Sequence, residues 1–169
     1  MRRMIRNRGK RRKESGQSLV EYAFTLPLFL ALILTIFELG NIVYHYALMS
    51  TASREAARYG VGIGVVDGGS LRYYDCGGIV EQAEELMGYT MNESTNISIT
   101  YDTGPGGTIK YTSCEDLAAL NGSDNIDSGD RIVVEITTEI HPLQYFFGGT
   151  TLDLTASSGR SILKGIVLD

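Results

Sequence analysis

The sequence predicts an α+β protein in which a long N-terminal transmembrane helix precedes a small antiparallel-sheet headpiece outside the membrane. Residues 22–37 contain no charge, and a helical pattern continues beyond them to about Tyr59. The last hundred or so residues alternate short apolar runs with turn residues, as small sheets do. We therefore divide the chain into a basic leader 1–16, a transmembrane and extended helix 17–60, and an extracytoplasmic headpiece 61–169.

Charge is divided sharply along the chain. The leader carries eight lysine or arginine residues and one glutamate, whereas the rest carries seven basic and nineteen acidic residues. A basic segment directly before an apolar helix usually stays in the cytoplasm, so we expect the C-terminal headpiece to lie outside. Basic heads can also indicate binding to nucleic acid or anionic lipid. Here we expect a membrane protein with no nucleic-acid partner.

The apolar run is long enough to cross a bilayer. With Leu19 and Val20 in front, residues 22–37 approach the roughly 20 residues that a spanning helix needs. The aromatic cluster 44–46 follows, as at a membrane interface. A cleavable secretory signal is the rival interpretation, but no small-x-small cleavage site follows the run at once. We expect a single-pass membrane protein with a cytoplasmic N-terminus, and a helix kinked at Pro27.

Small side chains form two rows on the helix beyond the predicted span. Each row repeats every four residues, so together they make a narrow strip that allows close approach of another element. The rows consist of Ala52, Ala56 and Gly60, and of Met49, Ser53 and Ala57. Such a strip can pack against its own headpiece or against neighbouring copies, and the sequence leaves both open.

One carboxylate, that of Glu21, lies just inside the apolar run, five residues after Gly16. A charge at this depth is costly unless it has a partner, so the presence of Glu21 indicates a functional role. Taken alone, Glu21 would be interpreted as an interfacial carboxylate that reaches the lipid headgroups.

The N-terminal part of the chain resembles the TadE-like proteins, the pseudopilins or minor pilins of the bacterial tight-adherence (Flp, type IVc) pilus system. The resemblance covers about residues 10–60. It rests on four stretches: Gly-Gln-Ser-Leu-Val-Glu-Tyr-Ala at 16–23, Leu-Pro-Leu at 26–28, Glu-Leu-Gly at 38–40 and Ala-Ser-Arg-Glu-Ala-Ala-Arg-Tyr-Gly at 52–60.

This resemblance implies that a prepilin peptidase cuts between Gly16 and Gln17, with Glu21 and Tyr22 serving recognition and assembly. Glycine at the cut would let an extended backbone approach the peptidase without a Cβ clash. Glu21 of one subunit could then neutralise the new α-amine of Gln17 on its neighbour, since either charge alone is costly in a low-dielectric environment. The implied partners are the peptidase, other pilins or pseudopilins, and the tight-adherence assembly platform. The implied location is the bacterial cytoplasmic (inner) membrane, or the pilus if the protein enters the fibre.

The headpiece pattern predicts short elements arranged as a sheet with amphipathic helix. Two helices are expected, over 79–90 and over 115–120, the second capped by Ser113 and stopped by Asn121-Gly122. Five strands are expected, over 97–101, 108–112, 131–140, 152–156 and 161–167.

Two cysteines, Cys76 and Cys114, can form one disulfide or remain free thiols, and the sequence does not decide between these states. Neither has zinc-ligand spacing. The loop 121–130 holds Asp124, Asp127 and Asp130, which could bind calcium. Because EF-hand spacing is not met, we expect a solvated acidic loop instead.

No catalytic arrangement is evident. His45 and His141 have no sequence-local nucleophile or carboxylate, and no phosphate-binding loop occurs. We expect a structural protein without a cofactor, a metal or a small-molecule substrate. The alternative is an unprocessed, membrane-anchored module whose headpiece binds an envelope partner. Cleavage after Gly16 and a requirement for Glu21 distinguish the two.

Overall fold

The computed structural model describes residues 11–66, 69–120, 125–142 and 151–164. The chain divides into two compact units, which we call the N-terminal unit, up to Asn41, and the C-terminal unit, from Ile42 onward. A long apolar helix followed by a small four-stranded antiparallel sheet confirms the predicted α+β class.

Helix α1 runs from Arg11 to Gly60 and is the longest element. Between residues 16 and 41 its side chains are exposed, apart from two that are half-buried. The hydroxyls of Thr25 and Thr35 donate to the carbonyl oxygens four residues earlier, at 2.7 and 2.8 Å. Both hydroxyls are therefore satisfied within the helix without water, as a membrane segment requires.

Within its described residues, the C-terminal unit contains the part of α1 from Ile42 to Gly60, which we call its upper part, two further α-helices and one sheet of strand order β2-β1-β3-β4. All neighbouring strands pair antiparallel. In chain order the elements are α2 (Cys76–Met87), β1 (Asn96–Asp102), β2 (Ile109–Tyr111), α3 (Cys114–Ala118), β3 (Arg131–Ile140) and β4 (Leu152–Ser161). Short 3-10 turns at Arg72–Tyr74 and Gly88–Thr90 flank α2.

Both short helices begin at a side-chain cap. Asp75 accepts a hydrogen bond from the backbone N–H of Gly78 at 3.0 Å, and Ser113 accepts one from Asp116 at the same distance. These caps satisfy donors that the first turn of a helix leaves unpaired. The expected cap at Ser113 is confirmed.

Strand β3 occupies the predicted range, and its alternate residues are buried. The buried set is Ile132, Val134, Ile136, Thr138 and Ile140. One face of the sheet thus packs on the core, while the other carries polar side chains, as antiparallel sheets commonly do.

The strand expected over 152–156 is found, although it extends to Ser161, whereas the separate strand expected over 161–167 is wrong. The structure has one strand, β4, where separate strands over 152–156 and 161–167 were expected, and residues 162–164 are not in a strand. Strand β4 pairs with β3 without a break, so the ladder carries the weak strand formers Ser157 and Ser158 that sequence propensity would exclude. Residues 165–169 lie outside the described part.

The predicted helices are found with shifted ends. Helix α2 starts at its Asp75 cap and ends at Met87, because Gly88 has a φ of +48° and turns the chain. Helix α3 is shorter than expected, and its predicted Asn121-Gly122 stop lies outside the described residues.

The small-residue strip of α1 packs within its own C-terminal unit. Met49, Ala52, Ser53, Ala56 and Ala57 are all fully buried. At Gly60 an added Cβ would lie 2.6 Å from Cδ1 of Ile132 and 3.3 Å from Cδ1 of Ile79. Of the two partners that the sequence left open, this face therefore contacts its own headpiece.

Candidate anchor and assembly site

Gly16 and Gln17 lie inside α1, so the peptide bond proposed for cleavage is helical in this chain. Among the described residues, a Cβ added at Gly16 would meet no atom within 4 Å beyond the neighbouring backbone of its own helix. Close packing in this chain therefore does not require a glycine at position 16. A requirement for glycine here would have to come from another molecule.

Glu21 lies one helical turn after Gln17, and both are exposed. The side-chain amide of Gln17 donates a long hydrogen bond of 3.4 Å to Oε1 of Glu21. The adjacent Tyr22 is 74 % exposed. The structure thus brings Gln17 and Glu21 together on one helix face and leaves the carboxylate open to a stronger donor.

The apolar surface around this site is extensive. Residues 16–60 contain a stretch with mean hydropathy 2.1, none of which is buried within the chain. Phe24, Leu28 and Phe37 are each more than 70 % exposed. By length and composition this helix can cross a membrane, and it is consistent with a single-pass anchor.

In the C-terminal unit a disulfide joins Cys76 at the start of α2 to Cys114 at the start of α3. The hydroxyl of Tyr101 lies 3.4 Å from Sγ of Cys114 and donates to the carbonyl oxygen of Tyr73 at 2.5 Å. Burial raises the pKa of Tyr101, so the phenol stays protonated and keeps this hydrogen bond. These contacts tie both helices to strand β1.

Lys110 pairs with two carboxylates of the acidic loop before β3. Its ammonium donates to Oδ2 of Asp130 at 2.7 Å, to Oδ2 of Asp127 at 3.0 Å and to the carbonyl oxygen of Asn125. Hydrogen bonds to Asp130 and then Asp127 raise the pKa of Lys110. The expectation of a solvated loop is therefore wrong for Asp130, which is buried. Asp124 lies outside the described residues.

Within the described ranges, no group of three or more His, Cys, Asp or Glu side chains could hold a metal ion. Asp127 and Asp130 both pair with the single ammonium of Lys110, which offsets one of their two negative charges. Their role in the structure is to attach the loop to strand β2.

Sequence analysis missed two polar contacts. The hydroxyl of Tyr59 donates to Oδ2 of Asp75 at 2.7 Å, with the guanidinium of Arg72 4.9 Å from the centre of the same ring. Arg131 binds Asp102 through two hydrogen bonds of 2.9 and 2.6 Å. Both contacts join residues at least sixteen positions apart, so no local spacing could have shown them.

These features define a class: an α+β protein with one N-terminal apolar helix consistent with a single-pass membrane anchor, and a disulfide-linked headpiece. Residues 16–58 match the family described as TadE-like protein, which confirms the resemblance found in the sequence. That family is associated with tight-adherence pili. The match begins at Gly16 and leaves the sheet unmatched. No curated protein and no solved structure matches the chain.

Proposed function

We propose that this protein is a pseudopilin or minor pilin that supports assembly of a tight-adherence pilus through packing of its N-terminal helix. The observation that carries the proposal is the position of the family match, which starts at Gly16. This is the residue at which the basic leader ends and the apolar helix begins.

Processing would occur between Gly16 and Gln17, by a prepilin peptidase. Proteolysis generally needs an extended backbone, whereas this bond lies in α1. The helix must therefore unwind locally before cleavage. Glycine lowers the cost, because it is about 1 kcal/mol less favourable in a helix interior than alanine. Gly16 would thus serve the peptidase by making α1 easier to open and by avoiding a Cβ clash.

Removal of the leader would create an α-amine at Gln17, four residues before Glu21. In the uncut chain the partner of this carboxylate is the neutral amide of Gln17, at 3.4 Å. A cationic amine from a neighbouring subunit would form a shorter, charge-assisted bond. An unpaired charge is costly in a low-dielectric environment. Such pairing would therefore favour a neighbouring subunit whose Gln17 amine lies beside this Glu21.

The headpiece would act as a structural module outside the membrane, with the leader in the cytoplasm, as the charge of the leader favours. We propose no enzymatic activity for it. Its partners would be the peptidase, other pilins and the assembly platform. Its location would be the bacterial inner membrane, with entry into the fibre as a further step.

The first experiment is to determine the N-terminal residue of the protein purified from its own membranes, with and without the prepilin peptidase. We expect Gln17 only when the peptidase is present. Gly16→Val should block cleavage, whereas Gly9→Val, a matched change in the same leader, should not. An intact leader in the presence of the peptidase would overturn the proposal and favour an unprocessed, membrane-anchored binding module.

A further inference from the structure

The upper part of α1 has an outward surface that its own headpiece does not use. Arg54 and Arg58 follow the buried Ala52 and Ala56 by two residues, which places them about 200° around the helix. Both arginines are exposed, as are Ala47 and Thr51 on the same side. We call these four residues the arginine face.

Helix α2 has an outward surface of opposite charge. Glu81, Glu84 and Glu85 are exposed, while Ile79, Ala83 and Met87 face the core. The helix contains no lysine or arginine, so repulsion among the three carboxylates is not relieved within it. We call Glu81, Glu84, Glu85 and the exposed Gly77 the glutamate face.

The glutamate face is not neutralised within the described residues, and the arginine face is neutralised only in part. Over the described residues, the three glutamates and Arg54 have no opposite charge within ion-pair distance, and Arg58 pairs with Glu55 of its own helix at 3.2 Å. At Gly77 the nearest atom to an added Cβ is Oδ1 of Asp75, 3.9 Å away. The chain itself therefore gives no packing reason for a glycine there.

We propose that the arginine face of one copy packs against the glutamate face of a second copy. The spacing of the charges matches, because Arg54 and Arg58 are four residues apart and so are Glu81 and Glu85. Four residues rise about 6 Å along a helix, so two ion pairs can form together. Small residues on both faces permit the usual interaxial distance of about 8–10 Å.

The two faces begin close together in the C-terminal unit. An added Cβ at Gly78 would lie 2.6 Å from the hydroxyl of Tyr59, and Ile79 contacts Gly60. The first turn of α2 is therefore beside the last residues of α1, next to Arg58. Two copies whose α1 helices lie side by side, in the same direction and at the same height, bring the opposite charges together.

The contact is heterologous when each copy presents its arginine face to one neighbour and its glutamate face to another. Each copy keeps one arginine face or one glutamate face available for the next copy. The contact would therefore order copies into rows or rings rather than closed pairs. It needs several copies in one membrane, but not removal of the leader.

The test uses the full-length protein in its own membrane, with a photo-crosslinking amino acid at position 51. We expect a crosslinked dimer whose second site maps to 76–87. We expect two charge reversals each to lower the yield of the crosslinked dimer about tenfold, because two ion pairs are replaced by two like-charge contacts. The reversals are Arg54→Glu with Arg58→Glu, and Glu81→Lys with Glu85→Lys. The combined four substitutions should restore the yield.

Glu135→Lys with Glu139→Lys is the matched control for Glu81→Lys with Glu85→Lys, because it changes the net charge by the same amount, on exposed positions of β3. It should leave the yield unchanged. All variants are checked for the Cys76–Cys114 disulfide, since exposed substitutions should not disturb folding.

Three results would overturn the inference: an unaffected yield after either reversal, no recovery in the folded four-substitution variant, or crosslinks that map to a different protein. The state of the leader is read in the same samples. Crosslinks with an intact leader would therefore refute the processing proposal alone, and cleavage without crosslinks would refute this one alone.

Discussion

The two units of this chain differ in what their polar side chains contact. In the C-terminal unit the buried Asp130 pairs with Lys110, and the buried Thr138 hydrogen-bonds to Oδ1 of Asn92 at 3.1 Å. In the N-terminal unit the carboxylate of Glu21 contacts a neutral amide at 3.4 Å. The first set of residues is explained by its own fold. The second requires a membrane or another chain for its explanation.

Helix α1 belongs to both units and shows the same contrast within one element. Its upper part is shaped by its own core, where an added Cβ at Gly60 would clash with Ile132. Its lower part contains Gly16 and Gly40, where an added Cβ would meet no atom within 4 Å. Substitutions in the two parts should therefore have effects of different kinds, and the following predictions test that difference.

The largest effect should come from Glu21→Ala. We expect incorporation into sheared pilus fibres to fall by an order of magnitude or more, because an unpaired amine would be left in a low-dielectric environment. Stability of the C-terminal unit should not change. Thr35→Ala, at another exposed position of the same helix, is the control and should assemble normally. If Glu21→Ala assembled normally, the carboxylate of Glu21 would not need a partner outside the chain. The contrast between the two units would then not hold.

The next effect concerns the disulfide. Replacing both Cys76 and Cys114 by serine should lower the free energy of unfolding of the C-terminal unit by about 3–4 kcal/mol, because the bond closes a long loop. The bridged residues are 38 positions apart. Near-ultraviolet circular dichroism of the full-length protein in detergent micelles follows the core tyrosines. The apolar helix should keep its far-ultraviolet signal when the C-terminal unit unfolds. If the helical signal were lost in the same transition, the two units would not unfold separately.

The sequence predicted best what depends on local pattern. Strand β3 was found in its predicted range because alternation along 131–140 directly reflects one buried face. The same holds for the uncharged run of α1. In both cases the polarity of each residue follows directly from whether its own position faces an apolar or a polar environment. The pattern can therefore be interpreted without knowing any distant contact.

Features that depend on distant partners were predicted poorly. Strand β4 was split because Ser157, Ser158 and Gly159 are weak strand formers, yet they pair with β3. Pairing of Asp130 with Lys110 joins residues twenty positions apart, which made a buried carboxylate resemble a solvated one. At the candidate site, the sequence identified Gly16 and Glu21 through family resemblance, whereas the charged faces of α1 and α2 needed the fold.

A third prediction compares two glycines of α1. Gly60→Ala should lower the free energy of unfolding of the C-terminal unit by about 1–3 kcal/mol, the usual cost of overpacking. The new Cβ would lie 2.6 Å from Ile132, so a core side chain must move. Gly40→Ala is the matched control and should leave this stability unchanged. Equal effects of the two substitutions, measured by denaturant titration in micelles, would contradict the assignment of Gly60 to the core.

The smallest effect should be pH-dependent and confined to the C-terminal unit. Hydrogen bonds from Arg131 lower the pKa of Asp102 below its ordinary value. A carboxyl with a lowered folded-state pKa stabilises above its unfolded pKa of about 3.9, and this contribution is lost as pH falls through the folded-state pKa. Asp102→Asn should therefore reduce stability by about 1 kcal/mol near neutral pH.

The difference between wild type and Asp102→Asn should be constant above about pH 5 and should shrink progressively below pH ~4. Asp153→Asn removes an exposed carboxylate of β4 and should give no such difference. Denaturant titrations of both variants between acid and neutral pH provide the measurement. A difference that persists undiminished in acid would mean that Asp102 acts through packing rather than charge. The contact between Asp102 and Arg131 would then stabilise the fold through packing, unlike the ion pair between Lys110 and Asp130.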